Sequence, residues 1–380
     1  MTKEQLGRYG ENPHQKSWKE EDEAFKGPSV LAPALHGKPL GYNNLIDAAS
    51  ALEIMIDLQE VPAVAVLKHT NPCGLATGDS LAEAFVNAWY GDEVSAFGSI
   101  VGFTREVDLE TAKLLSGKFV EVLVAPAYSP EALEWIKRQK SKEDLRVIAT
   151  GPIEGAPDFV ETREIRGGVL SQTRDNRLYL CDSVKALLDE PQEITEPNSG
   201  LTYKVGTVTE QKFGEFREGL VEFGIVAAKH TKSNAIVIVY EYEFQKYRLL
   251  GMGAGQPNRL DSVRKLALPK AKENLMRQYF REHGLDYPMT MDRMSHDPEY
   301  NSALVDGMRK YERWIMSEQA TVLLVSDAFF PKRDAVDAAA EGGIRSIVQP
   351  GGSKADQEVI KAANEHSIAM IFTGIRHFKH

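Results

Sequence analysis

Lys68 and His69 stand side by side in VLKHTNPCG (66–74), directly after the apolar run VPAVAVL (61–67). A neutral imidazole can take up a proton near pH 7, and a neighbouring ammonium can steady negative charge developing on a reacting oxygen. A lone histidine is more often structural than catalytic. Four successive polar residues behind a buried strand shift that balance toward a site, because open α/β sheets place their ligands at strand ends. The tripeptide returns as Lys229, His230 and Thr231 in IVAAKHTKSNAIVIV, followed by Ser233 and Asn234. The Asn234 amide could orient a substrate, although asparagine in such a place also suits a turn.

Further stretches carry groups with recognition chemistry. RYGENPHQ (8–15) joins Arg8, Tyr9 and His14 in a non-periodic segment. Arg8 there could hold a phosphate through a charge-assisted, bidentate contact; a flexible N-terminus is the ordinary explanation. TGIRHFKH, the last eight residues, supplies Arg376, His377, Lys379 and His380, or else a solvated basic tail. GMGAGQPNR (251–259), with Met252 and Gly253, lacks the third glycine of a dinucleotide fingerprint and the Gly-Lys-Ser/Thr ending of a phosphate loop. It reads as a close-approach loop at a ligand cleft. In WYGDEVSAFGSIVGF (89–103), Phe97 and Gly98 open a strand. In SDAFFPKRD (326–334), Phe329 and Phe330 suit stacking on a flat heterocycle better than a core, with Pro331 and Asp334 beside them. Asp334 also suits a helix cap.

Metal catalysis is not expected. A zinc deaminase needs His-x-Glu and a later Pro-Cys-x-x-Cys, whereas NPCGL has no second cysteine nearby. No Gly-x-Ser-x-Gly elbow is present for a serine hydrolase.

These groups need elements to position them. Strand-like runs at 61–67, 97–103, 121–127, 145–150, 224–228, 234–240, 321–328 and 344–350 alternate with helical periodicity, which predicts an α/β fold. The polar, proline-broken LDEPQEITEPNSG (188–200) reads as a linker, giving a first unit at 1–190, a linker at 191–200 and a second unit at 201–380. Beyond the repeated Lys-His-Thr, residues 121–151 parallel 321–351 as strand, turn, helix and strand. A duplication follows, with a helical insertion at about 261–318 in the second copy and a cleft between the halves.

The chain of 380 residues exceeds one ordinary core. Its 42% hydrophobic and 26% charged residues are those of a globular protein, and its net charge of −10 argues against nucleic-acid binding. No run approaches the ~20 apolar residues that span a bilayer. MTKEQLGRYGENPHQ has no apolar core and is not a signal peptide. Two cysteines make no disulfide framework, so a cytoplasmic location is expected.

RYGENPHQ, LKHTNPCG, GDEVSAFGSIV, KHTKSNAIV, GMGAGQPNR, SDAFFPKRD and GIRHFKH occur in the order seen in the 5-aminoimidazole-4-carboxamide ribonucleotide (AICAR) transformylases of purine biosynthesis. The resemblance runs from Arg8 to His380. It implies a pair of cytidine-deaminase-like α/β units without zinc and formyl transfer from 10-formyltetrahydrofolate to the 5-amino group of AICAR. It also implies a homodimer with shared sites. Most members carry an IMP cyclohydrolase domain first; this chain starts at the transformylase's first motif, so a monofunctional protein is expected. By resemblance Lys68, His69 and Asn234 are catalytic, while Arg8, Tyr9, His14, Asn44 of GYNNL and Arg376 hold the nucleotide. Asn44 does so from the partner subunit. Phe97, Gly98, Met252, Gly253, Phe329, Pro331 and Asp334 fall where the family holds folate. Lys332 replaces an aromatic residue the family usually has, and some members hold a structural potassium ion near the second Lys-His-Thr loop and the C-terminus. The competing expectations are a deaminase-like hydrolase of a purine precursor and a non-catalytic paralogue that senses nucleotide or folate.

Overall fold

The structure is a computed structural model that describes every residue except 1, 2, 8, 215, 216, 319 and 320. It contains two compact units, one of Met1–Trp89 and Glu93–Leu178, the other of Tyr90–Asp92 and Tyr179–His380.

In the first unit β1 (Lys3–Gln5) and β2 (Trp18–Glu20) form a small hairpin ahead of α1 (Tyr42–Asp57). There follow β3 (Ala63–Lys68), β4 (Asn71–Thr77), α2 (Leu81–Trp89), β5 (Ser99–Phe103), α3 (Leu109–Lys113), β6 (Val120–Ala125), α4 (Pro130–Arg138) and β7 (Arg146–Ala149). The strands lie in the order β4-β3-β5-β6-β7. β3 is antiparallel to both its neighbours, and β5, β6 and β7 are parallel. Strands β3 and β5 are buried along nearly their whole length, which fits their continuous apolar runs. A separate hairpin, β8 (Val160–Ile165) with β9 (Gly168–Thr173), completes the unit.

The second unit opens with α5 (Val184–Leu188), β10 (Gln192–Thr195) and β11 (Thr202–Thr207). The stretch expected to be a linker therefore contains β10, paired antiparallel to β11. Then come α6 (Glu218–Lys229), β12 (Ile236–Glu243) and β13 (Lys246–Gly253). A helical segment follows, made of the single turn α7 (Arg259–Asp261), α8 (Leu268–Glu282), α9 (Tyr287–His296) and α10 (Pro298–Arg313). The chain ends with β14 (Val322–Ser326), α11 (Asp334–Glu341), β15 (Ser346–Gln349), α12 (Asp356–Glu365) and β16 (Ala369–Phe372). The order is β13-β12-β14-β15-β16, with β11 and β10 beyond β16. β12 is antiparallel to β13 and β14, while β14, β15 and β16 are parallel.

The two units repeat one topology: β3 corresponds to β12, β4 to β13, and β5, β6 and β7 to β14, β15 and β16. The duplication expected from sequence is there, but the segments that suggested it are not equivalent. Lys68 ends β3, whereas Lys229 ends α6 and is buried with His230. Residues 121–151 are the second strand-helix-strand crossover of their unit, and 321–351 are the first of theirs. Each unit holds two such crossovers of similar pattern, so sequence similarity alone can align the wrong pair. GIVAA (224–228), expected as a strand, lies within α6. Its β-branched residues are compatible with a helix buried on all sides, where a short apolar run has no diagnostic period.

Glycines set the layer spacing in both units. A Cβ on Gly74 of β4 would lie 2.0 Å from the Ala88 carbonyl oxygen of α2. On β13, a Cβ at Gly251 or Gly253 would come within 2.3 Å of the Ala267 or Ser262 carbonyl oxygen, in the helical run that follows α7. Gly74→Ala should therefore force α2 off the sheet and destabilise the protein by about 3 kcal/mol, read as a lowered denaturant midpoint. An unchanged midpoint would mean that α2 yields freely.

Candidate active site

Lys68 and Asn71 are paired across the β3–β4 hairpin, leaving His69 and Thr70 as its two-residue turn. Both turn residues have positive φ, 53° and 65°. This is the backbone of a turn that usually takes Asn-Gly, and a β-branched threonine there is a steric outlier. The turn is fastened from several sides. The Thr70 N–H donates to Asp47 Oδ1 at 2.6 Å, the Thr70 hydroxyl to the His69 carbonyl at 2.6 Å, and Asn71 Nδ2 to that same carbonyl at 3.0 Å. The His69 imidazole is exposed and has no hydrogen-bond partner among the described residues.

Beside it, Lys68 Nζ donates to the Phe97 carbonyl at 2.5 Å. An ammonium has three donors, so this bond leaves others for a ligand. Phe97 is 63% exposed and its ring lies 5.0 Å from that of Phe119. Gly98, at φ 70°, carries the chain past Lys68 into β5, and its N–H donates to the Phe119 carbonyl at 2.8 Å. The sequence thus brings Lys68, His69, Phe97 and Gly98 to one end of the first unit.

Helix α1 ties the N-terminal motif to this end. Residues 9–15 form a loop closed by their own hydrogen bonds: Gln15 N–H donates to the Asn12 carbonyl at 3.0 Å, Gly10 N–H to the Gln15 carbonyl at 2.7 Å, and Asn12 N–H to Gln15 Oε1 at 2.8 Å. Asn43 Nδ2 of α1 donates to the Glu11 carbonyl at 3.2 Å. Tyr9 and His14 present exposed side chains; Arg8 lies outside the described residues. Asn44 Oδ1 caps α1 by accepting from the Gly41 N–H at 3.1 Å, and its Nδ2 donates to Glu121 at 3.2 Å. Asp47, one turn further along α1, reaches the hairpin turn. Burial raises the Asp47 carboxyl above its ordinary value, against the lowering pull of the Thr70 amide and of His69.

The remaining candidates lie in the second unit. Asn234 Nδ2 donates to the Gln256 carbonyl at 2.8 Å, and the Asn234 carbonyl accepts from the Ser262 hydroxyl at 2.7 Å. The Ser233–Asn234 peptide is cis. Next to it a buried ion pair joins Arg259 to Asp327 at 2.8 Å, and the Ser233 hydroxyl donates to the other Asp327 oxygen. The C-terminus is laid onto this cluster: Ser233 N–H donates to the Lys379 carbonyl at 3.0 Å and His377 N–H to the Asp327 carbonyl at 2.8 Å. Arg376 is exposed, its guanidinium 4.3 Å from the Phe378 ring centre.

Met252 is half-buried on β13, and Gly253 serves the close packing described above, so the approach these glycines permit is to the protein's own backbone. Of the adjacent phenylalanines, Phe330 is fully buried while Phe329 is half-exposed; only one of the pair is open to a ligand. Pro331 is exposed, and Asp334 is the first residue of α11 without acting as its side-chain cap.

The candidates occupy opposite ends of equivalent sheets. In the first unit they lie at the β3–β4 turn and the start of β5, and in the second at the start of β12 and the end of β14. The scaffold is repeated; the chemistry is not. Sequence reasoning missed Asp47, whose signal was an acid within the otherwise apolar buried stripe Ala48, Ala51, Leu52, Ile54 and Met55 of α1. It also missed Asp327 of SDAFFPKRD and Arg259 of GMGAGQPNR. Among the described residues no group of three or more His, Cys, Asp and Glu is placed to hold a metal ion, and no helix is long and apolar enough to cross a membrane.

The family described as the AICARFT/IMPCHase bienzyme matches residues 1–270. The bifunctional purine biosynthesis protein PurH of Lactobacillus acidophilus is 37% identical over 374 residues, covering 98% of this chain and 59% of the relative. PurH of Aquifex aeolicus is 38% identical over 373 residues, with 98% and 59% covered. PurH of Rhodopirellula baltica is 37% identical over 377 residues, with 98% and 58% covered. The chain thus spans about three-fifths of the length of these relatives.

Proposed function

The chain belongs to the AICARFT/IMPCHase bienzyme family, and on that premise we propose that it transfers the formyl group of 10-formyltetrahydrofolate to the 5-amino group of AICAR. The observation that carries this reading is the Lys68–His69 pair at the tip of a strained hairpin, with the imidazole open to solvent. A residue held in a left-handed conformation that its side chain disfavours persists where the surroundings over-determine it, and such places cluster at functional sites.

The AICAR amine is a poor nucleophile because its lone pair is delocalised into the imidazole ring and carboxamide. As its nitrogen bonds to the formyl carbon, His69 takes the proton, and the carbonyl electrons move onto oxygen. The Lys68 ammonium stabilises that oxyanion. Collapse re-forms the carbonyl and breaks the bond from the formyl carbon to N10 of the folate; N10 takes up the proton that His69 removed from the amine and leaves as tetrahydrofolate, which returns the imidazole to its neutral form. Asn234 holds the reacting groups in register, an orientation effect. Arg8, Tyr9, His14, Asn44 and Arg376 bind the nucleotide. Phe97, Gly98, Met252, Gly253, Phe329, Pro331 and Asp334 bind the folate, with exposed Lys332 free to meet its glutamate tail. Asn44 serving a partner's site makes the protein a homodimer. A structural potassium ion near this loop would have to share oxygens that already have partners, since the His230 carbonyl faces Lys379 Nζ at 3.4 Å and the Asp327 carboxylate is bound by Arg259 and Ser233; no step is routed through one.

Purified protein should release tetrahydrofolate only when AICAR and 10-formyltetrahydrofolate are both present. No release under those conditions would end the proposal. Sedimentation of a fully active monomer would remove the shared site.

A further inference from the structure

The His69–Thr70 turn is held by three kinds of contact, and they differ in where they come from. The Thr70 hydroxyl and the Asn71 amide bind the His69 carbonyl from within the hairpin, so they would travel with the turn if it moved. Asp47 reaches in from another element, helix α1. Its Oδ1 accepts the Thr70 N–H at 2.6 Å, and its carboxylate also draws on the His69 backbone N–H and the field of the imidazole. Asp47 is only 9% exposed, on the face of α1 that packs into the unit. A carboxylate is disfavoured there unless its lone pairs are used, and the turn uses them. The β-branched Thr70 is disfavoured in the left-handed backbone that the turn requires, which His69 tolerates better.

We propose that Asp47 is a positioning residue for the reaction: its carboxylate fastens the His69–Thr70 turn, so that the imidazole projects from the sheet end at a fixed place. Asp47 itself touches no substrate. The proposal rests on the formyl-transfer reading for its kinetic consequences and on the hairpin geometry for its structural ones. A base displaced by about 1 Å can lose on the order of 10²-fold in rate without loss of substrate binding.

The test uses the full chain with Asp47→Ala, Asp47→Asn and the double variant Asp47→Ala with Thr70→Gly. Asp47→Ala should lower kcat by about 10- to 100-fold and leave the AICAR KM within about three-fold. Asp47→Asn, which keeps one acceptor oxygen, should fall between. Glycine adopts the left-handed backbone readily, so Thr70→Gly should restore about ten-fold of the kcat lost in Asp47→Ala. A purely structural role for Asp47 would show no such rescue. Hydrogen exchange gives a readout independent of activity: the Thr70 amide should be protected in the unaltered chain and exposed in Asp47→Ala. A kcat within about two-fold of the unaltered enzyme, no recovery by glycine, or a Thr70 amide unprotected at the outset each overturns the proposal. A chain with a protected Thr70 amide but no formyl transfer would overturn the functional reading and leave the fastening of the turn standing.

Discussion

His69→Ala should lower kcat by about 10²–10⁴-fold while AICAR still binds with nearly unchanged affinity. This is the range over which a positioned general base contributes, and the imidazole has no hydrogen bond within the described structure that its removal would break. The backbone there has φ 53°, a burden on any residue but glycine. Alanine suits that region somewhat less well than histidine, but Asp47 and Asn71 still hold the turn. Calorimetric titration of the variant with AICAR, beside its turnover, separates binding from chemistry. Turnover surviving within a few-fold would show that some other group takes the amine proton.

Lys68→Met should cost about 10²–10³-fold in kcat, the usual loss when one donor to a developing oxyanion is removed. Methionine keeps an unbranched stem beside Phe97, so the comparison isolates the ammonium. Two consequences distinguish this loss from that of His69. The bond to the Phe97 carbonyl disappears as well, so the exposed Phe97 ring should bind folate less firmly and raise its KM. The double variant should be little slower than His69→Ala alone, because groups acting on one transition state are not additive. Full additivity of the two losses would place Lys68 and His69 in separate steps.

Much of this arrangement is legible in the sequence because polar residues at the end of an apolar strand are conspicuous. Lys68 does end β3, and Phe97 and Gly98 do lead into β5 beside it. The hairpin turn is not legible: His-Thr is a poor match to the residues such turns favour, so nothing local announces positive φ at both positions. Asp47 is hidden for a related reason, since its role depends on a contact with residues 23 positions away. RYGENPHQ invites a reading as a loose terminus, yet its Asn12 and Gln15 bond to each other and close a loop against α1. The glycines of GMGAGQPNR suggest a ligand loop because glycine signals close approach without saying what approaches. Here Ser262 and Ala267 do.

The helices between β13 and β14 stand where the first unit has only α2, and their near end is pressed into backbone contact with the sheet at Gly251 and Gly253. Such an arrangement works like a bracket bolted at one end. Growth or drift in this stretch cannot be absorbed at the mount, where there is no room for even a methyl group. It has to be taken up outward, around the largely exposed α9, so the freedom to vary lies far from the strands and the strand order of the unit is shielded from it.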